Sequence, residues 1–301
     1  MSRTSGAGTR RPPGETNGVG SGRRGEGDRG APGRPADDLR APLPTRVFDT
    51  PELPDAARAS LRAGLAAMGL ASLPTEAVDA LEGHLRLLLA WTAAVNLTSI
   101  RDPEVAVRDH ILDSLAAVRA LRARRVDGLL DLGTGGGYPG LPLAIALPAR
   151  RAALVDSVAT KTAFVAAAID ALGLADRVTA VTARAEDLAA DRTHRGRWPA
   201  VVARAVADLA DLAEVGLPLV RVGGCLVAWK RDPLDAELEA AGPMIAALGG
   251  GRVTVLPTGV PGRDDGRLVV IAKARVTPVR YPRDPAVRAR ERRHAGPAAL
   301  S

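Results

Sequence analysis

The chain holds a single cysteine, Cys225, among 301 residues. Disulfide frameworks and cysteine zinc clusters within the chain are therefore excluded. Its four histidines are scattered without ligand spacing, so no metal site is expected. Aromatics make up 2% of the residues, which leaves Ala, Val, Leu and Ile to build the core. Lysine occurs only at Lys161, Lys230 and Lys273. With the abundant Ala, Gly and Pro, that arginine bias fits GC-rich coding DNA rather than a function. No apolar run approaches the ~20 residues of a membrane span. The first residues lack the apolar stretch of a secretory signal. A cytoplasmic protein without a membrane partner is expected.

What charge there is sits at the ends. Of the net +7, residues 1–50 carry +3 and residues 275–294 carry +5, leaving −1 for residues 51–274. A basic tail suits nucleic acid, and a solubilising tail has the same composition. Residues 1–50 contain ten Gly and six Pro and bury too little to offset ordering entropy, so they read as a disordered extension. Residues 51–125 read as a helical segment, 126–274 as the core and 275–301 as a basic tail. There are no internal repeats, and a monomer is expected.

The helical segment rests on period. Leu61, Leu65 and Met68, then Leu81, Leu85, Leu88 and Leu89, recur at spacings of three and four. Pro74 and Thr75 open a second helix, with Glu76 in its first turn. A third runs from Pro103 to Arg122. From Val126 the rhythm changes. Strands are expected at 129–132, 152–155, 178–181, 200–203 and 224–229, alternating with helices at 138–147, 158–172, 206–220 and 233–248. Strands at 253–256 and 268–272 have no helix between them and should pair as an antiparallel hairpin. Such alternation makes an α/β, mostly parallel, doubly wound sheet.

The strongest local feature is Asp131-Leu132-Gly133-Thr134-Gly135-Gly136-Gly137, between the first strand and a helix. Glycines let a backbone turn sharply and approach a ligand, and the following helix offers unpaired N–H groups. Ligands of such sheets bind at the carboxyl ends of the strands. A dinucleotide fingerprint fails here: counted from Gly133, its last glycine falls on Tyr138. Walker-type Gly-Lys-Ser/Thr is absent. The Asp-x-Gly-x-Gly-x-Gly form matches instead a loop that holds a nucleoside joined to methionine. Asp156 ends the second strand about 20 residues later, where an acid accepts bonds from ribose hydroxyls; the alternative is a helix N-cap. Ala183 to Asp187 follows the third strand, at an adenine-contacting position or as a solvated charge cluster.

Four blocks extend the pattern: Asn96 to Pro103, Arg108 to Ser114, Asp131 to Gly140, and Ala203-Arg204-Ala205. In this order they resemble the bacterial small-subunit ribosomal RNA guanine-N7 methyltransferases, also called glucose-inhibited division protein B, over residues 60–274. The resemblance implies a Rossmann-like class I methyltransferase fold closed by an antiparallel hairpin. It implies S-adenosylmethionine as cofactor, and 16S rRNA or the 30S particle as partner. It places cofactor contacts at Gly133, Tyr138, Ala185, Glu186 and Arg204, to which the loop form adds Gly135 and Gly137 and the strand-end acid Asp156. RNA contacts would fall at Arg108, Arg184, Arg204 and Lys230, with Asn96, His110 and Arg204 as positioning residues. Arg280-Tyr281-Pro282-Arg283 is similar to the basic tail of some members. Departures stand at Val95, Thr92 and Gly136, where the family often has an aromatic, Asn, and Ala or Pro.

Guanine N7 attacks with a free lone pair, so such a reaction needs positioning and charge compensation rather than a general base. No Pro-Cys nucleophile is present, and Cys225 reads as a small buried residue. Arg204 and Lys230 end successive strands, where they either meet RNA or pair with Asp208 or Asp232. His110 taken alone reads as structural. Three other functions compete: a methyltransferase of small molecules or proteins on the same sheet, a nucleic-acid binder without cofactor, and a nicotinamide dehydrogenase. The intact loop with Asp156 opposes the second, and the loop register the third.

Overall fold

A computed structural model describes residues 43–147, 151–204, 207–288 and 290. The extension expected at 1–50 lies outside them up to residue 42. Residues 43–50 are placed, contrary to that expectation, and include a 3-10 turn at Val47–Asp49. The reason is a set of donors on a neighbouring helix. Arg86 reaches the carbonyls of Val47, Thr50 and Pro51, and the Trp91 indole N–H reaches that of Pro44 at 2.7 Å.

The helical segment consists of α1 (Asp55–Ala67), α2 (Thr75–Thr92), α3 (Pro103–Ala106), a π-helical stretch (Val107–Leu112), α4 (Asp113–Leu115) and α5 (Val118–Ala123). Asp102 caps α3 by accepting from the N–H of Glu104 and Val105. The single helix expected from Pro103 to Arg122 is therefore broken in two ways, by the wider π turn and by a turn at Ala116 and Ala117. Periodicity spans both because each fragment sends apolar residues, Ala106, Ile111, Leu115 and Leu121 among them, into the same core cluster.

The core alternates β1 (Gly128–Leu132), α6 (Gly140–Ala146), β2 (Arg151–Asp156), α7 (Ala159–Ala171), β3 (Val178–Thr182), α8 (Ala185–Ala190), β4 (Trp198–Arg204), α9 (Leu209–Gly216), β5 (Val220–Arg231), α10 (Asp235–Ala247), β6 (Gly250–Pro257) and β7 (Gly266–Lys273). Strand order is β3-β2-β1-β4-β5-β7-β6. The first five strands run parallel, and β7 pairs antiparallel with both β5 and β6. The α/β sheet and its hairpin thus agree with expectation. α8 does not: the charge cluster at 183–187 opens a helix, with Glu186 and Asp187 in its first turn, where acids favour the helix dipole.

Both sheet faces are covered, so strand side chains alternate between two apolar layers. Leu129, Leu154, Val202 and Val227 meet the N-terminal helices, α6 and α7. Leu130, Val155, Val201 and Leu226 meet α8, α9 and α10. Cys225 is fully buried in the first layer, and burial pushes its thiol pKa up. Because β7 runs opposite to β5, Gly266 lies beside Arg231. The β6–β7 connection thereby arrives at the edge where the parallel strands end.

Candidate active site

Asp131 organises the glycine loop. It is fully buried at the end of β1, and its Oδ2 accepts from the Thr134 hydroxyl at 2.6 Å and the Gly140 N–H at 2.8 Å. Burial pushes its pKa up to about 6, against the lowering effect of those two donors. The free N–H groups expected at the helix start are therefore largely taken. Gly140 donates to Asp131, while Gly137 and Tyr138 donate to the Thr134 carbonyl. Asp156 holds the loop from the next strand. Its Oδ2 accepts from Gly135 N–H at 3.0 Å and its Oδ1 from Val158 N–H at 2.9 Å. The carboxylate keeps further lone pairs after these two bonds.

The glycines divide by role. Gly135 has φ +56 and open space around an added Cβ. At Gly140 an added Cβ would stand 2.7 Å from Asp131 Oδ2 and 2.8 Å from Leu154 Cγ. Gly140→Ala is expected to destabilise the fold by about 2 kcal/mol through overpacking. Gly135→Ala should cost about 1 kcal/mol of left-handed strain yet weaken ligand binding more, since its methyl projects into the open space. Thermal melts and calorimetric titration of cofactor, run on both variants, separate the two. A weaker ligand effect at Gly135 than at Gly140 would reverse these roles.

Beneath the loop lies a stack that the sequence did not announce. Tyr138 sits between His84 of α2, with ring centroids 4.3 Å apart, and His110 of the π stretch, at 4.9 Å. His84 Nε2 lies 2.8 Å from the Gly136 carbonyl, so that nitrogen carries the proton. His110 Nε2 meets the Thr98 hydroxyl at 2.8 Å. Burial is the main cause that lowers the pKa of His84 to about 3 and of His110 to about 4. Both are neutral at pH 7, whereas an unfolded chain protonates them near 6.5. Their contribution to stability is thus complete above pH 6.5 and falls as pH drops from there towards 4. Asp131 works the other way between its unfolded value and 6, so the comparison is made on a histidine variant. His84→Phe should show a smaller fall in melting temperature between pH 7.5 and 5.0 than the parent. An equal fall would remove His84 as the cause.

Two cavities flank the loop along the carboxyl edge. One, of about 310 Å³, is lined by Gly133, Asp156, Lys161, Arg184, Ala185 and Glu186, among others. It gathers four of the eight expected cofactor residues, Gly133, Asp156, Ala185 and Glu186, with the exposed Arg184 at its rim; Gly135 and Gly137 do not line it. Tyr138 is instead buried in the stack, below the loop. The other cavity, of about 510 Å³, lies beyond β4 and β5, and His110, Arg204, Trp229, Lys230, Arg231 and Arg263 help to line it. Arg204 and Lys230 both reach it, but their partners differ from those expected. Arg204 Nη1 donates to the Asp109 carbonyl at 2.7 Å and to Asp113 Oδ2 at 3.0 Å. Lys230 pairs with Glu237 at 2.5 Å and donates to the Ala207 carbonyl. Asp208 caps α9 instead, and Asp232 pairs with Arg267. Arg108 is not brought to this cavity. It pairs with Asp109 and lines a separate cavity beside α1. Asn96 is exposed on the loop after α2, next to Leu97, which lies against Gly136.

Arg263, unnoticed in the sequence, bridges Asp109 at 3.7 Å and Asp113 at 3.6 Å. Its signal was topological: a hairpin antiparallel to β5 must turn at the ligand edge. Among the described residues no group of acids, His or Cys is arranged to hold a metal. No described helix is long and apolar enough to cross a membrane.

The model of the family described as rRNA small subunit methyltransferase G matches residues 77–259. The chain belongs to that family. The match takes in α2 with His84, the glycine loop, Arg204 and Lys230, and ends before Arg263. Similar proteins include the ribosomal RNA small subunit methyltransferase G of Roseiflexus castenholzii, 46% identical over 65% of this chain and 83% of that one. That of Deinococcus radiodurans is 42% identical over 77% and 90%. A solved O-methyltransferase from Bacillus cereus in complex with SAH aligns at 18% identity with a TM-score of 0.48, over 72% of this chain and 100% of that one.

Proposed function

We propose that the chain transfers a methyl group to N7 of a guanine in 16S rRNA. S-adenosylmethionine is its methyl donor, and small-subunit rRNA is its substrate class. The observation that carries the reading is the pairing of two cavities on one sheet edge. One offers carboxylates to a nucleoside, and the other presents Arg204, Lys230, Arg231 and Arg263. The residues fit the donor. Gly135 leaves open space, and Asp156, 7% exposed, faces the smaller cavity with lone pairs to spare. Gly133, Ala185 and Glu186 complete that wall, while Gly137, whose added Cβ would meet His84 and Leu141, and Tyr138 support it from below.

Bound there, S-adenosylmethionine supplies an electrophilic methyl on a sulfonium. The chain's own part is placement. Guanidinium groups favour phosphate and the O6/N7 edge of guanine, where their planar fork binds in two-pronged fashion. Arg204 is therefore assigned to RNA; the Lys230 ammonium is assigned there as a point charge for phosphate, together with Arg184 at the rim of the smaller cavity and Arg108 at the separate cavity beside α1. His110, neutral and fixed by Thr98, lines the larger cavity and positions the base there without exchanging a proton, with the buried Tyr138 behind it; Asn96 is assigned a positioning role from the exposed loop after α2. A lone pair at N7 makes proton removal unnecessary.

The test is tritium transfer from labelled S-adenosylmethionine to 30S particles, and to naked 16S rRNA, from a strain lacking this gene. Label recovered as 7-methylguanosine at one position supports the reading. Label on another nucleoside discards N7 and keeps the substrate. Label on protein or small molecules alone moves the assignment to the competing methyltransferase class.

A further inference from the structure

The segment after β7 does not behave as a free basic tail. The Arg195 guanidinium gathers the carbonyls of Thr277, Pro278 and Tyr281, together with Ala189 at the end of α8. Arg283 then clamps the almost fully buried Glu214. Its backbone N–H and Nε donate to Oε1 at 2.7 and 2.8 Å, and its Nη2 donates to Oε2 at 2.6 Å. A helical turn follows over 285–288. It delivers Arg288, 7% exposed, onto the Oε1 of Glu186. Glu186 lines the same cavity as Asp156 and Lys161.

We infer that Arg288 is a positioning residue of the cofactor pocket, acting through Glu186. A glutamate on the rim of an open cavity has several rotamers and strong hydration. The buried guanidinium removes that freedom before any ligand arrives, and a pre-organised acceptor binds more tightly than a loose one. It also offsets the charge of Glu186 where Asp187 and Asp156 stand nearby in the fold. The pocket is thereby completed by a strap from outside the sheet, some hundred residues later in the chain. The inference rests on the reading of this cavity as the nucleoside site.

A double-mutant cycle on the full-length protein tests it, read as the dissociation constant for S-adenosylmethionine by calorimetry. Arg288→Ala and Glu186→Gln should each weaken binding roughly tenfold, and the double variant no more than Glu186→Gln alone, the non-additivity expected of a touching pair. Arg288→Lys should restore part of the loss. At saturating cofactor the kcat of Arg288→Ala should stay within about twofold of the parent, which a general loosening of the fold would not allow. Should Arg288→Ala fail to fold, Arg288→Lys and Arg288→Gln run the same cycle. Additive losses, or an unchanged constant in the Arg288 variants while Glu186→Gln weakens binding, would overturn the strap and leave the cavity assignment standing. An unchanged constant in Glu186→Gln would overturn the strap, whereas the cavity assignment falls with an unchanged constant in Asp156→Ala.

Discussion

Arg204→Ala is expected to lower kcat/KM for small-subunit RNA by about a hundredfold or more, the scale on which loss of one pre-organised charged donor acts. The side chain has three duties. It donates to Asp109 and Asp113, lies 5.7 Å from the centre of the Tyr138 ring, and helps to line the larger cavity. Removing it leaves the buried Asp113 with only the longer Arg263 pair at 3.6 Å. Breaking such a pair destabilises by about 3 kcal/mol, so melting must be measured beside activity. Arg204→Lys keeps the charge but loses the fork. It should recover stability better than it recovers kcat/KM. If the two recover in step, Arg204 serves the fold alone.

Asp156→Ala ranks second. A carboxylate that accepts from ribose is worth about 1.5–3 kcal/mol, so cofactor affinity should fall about 10- to 150-fold. RNA affinity, measured by filter binding without cofactor, should stay within about twofold. Part of the cofactor loss comes through Gly135, whose N–H loses its acceptor. Asp156→Asn retains one acceptor oxygen and should lie between parent and alanine. Equal loss of RNA and cofactor binding in a folded variant would remove Asp156 from the cofactor site.

The sheet was legible because strands and helices differ in period, and the antiparallel end because Val253–Leu256 and Leu268–Ala272 have no crossover helix between them. The glycine loop and Asp156 were legible because backbone approach and a strand-end acid are local demands. What escaped reading depends on contacts far apart in sequence. His84 reads as one more polar residue on an apolar helix until Gly136, 52 residues away, is placed against it. Arg263 goes unnoticed and Arg288 counts only as part of the basic tail, since their acidic partners lie in other blocks. The order of residues 43–50 was hidden because those residues are held by side chains of α2 and by Val47 packing against the core, contacts that a Gly- and Pro-rich composition does not announce. The seven arginines at 275–294 suggested a tail for nucleic acid. Two of them, Arg283 and Arg288, are already committed to Glu214 and Glu186.

The N-terminal helices share their apolar layer with strands that follow them in the chain. During synthesis the chain emerges in order, so α1 and α2 leave the ribosome before β1 or the glycine loop exists. Leu81, Leu85 and Leu88 then have no sheet to cover, and His84 has no carbonyl to meet. The enzyme's first third must wait, sticky and incomplete, for its second. A nascent chain halted near residue 125 is therefore expected to expose that apolar face, the kind of surface chaperones bind, rather than to fold as a subdomain.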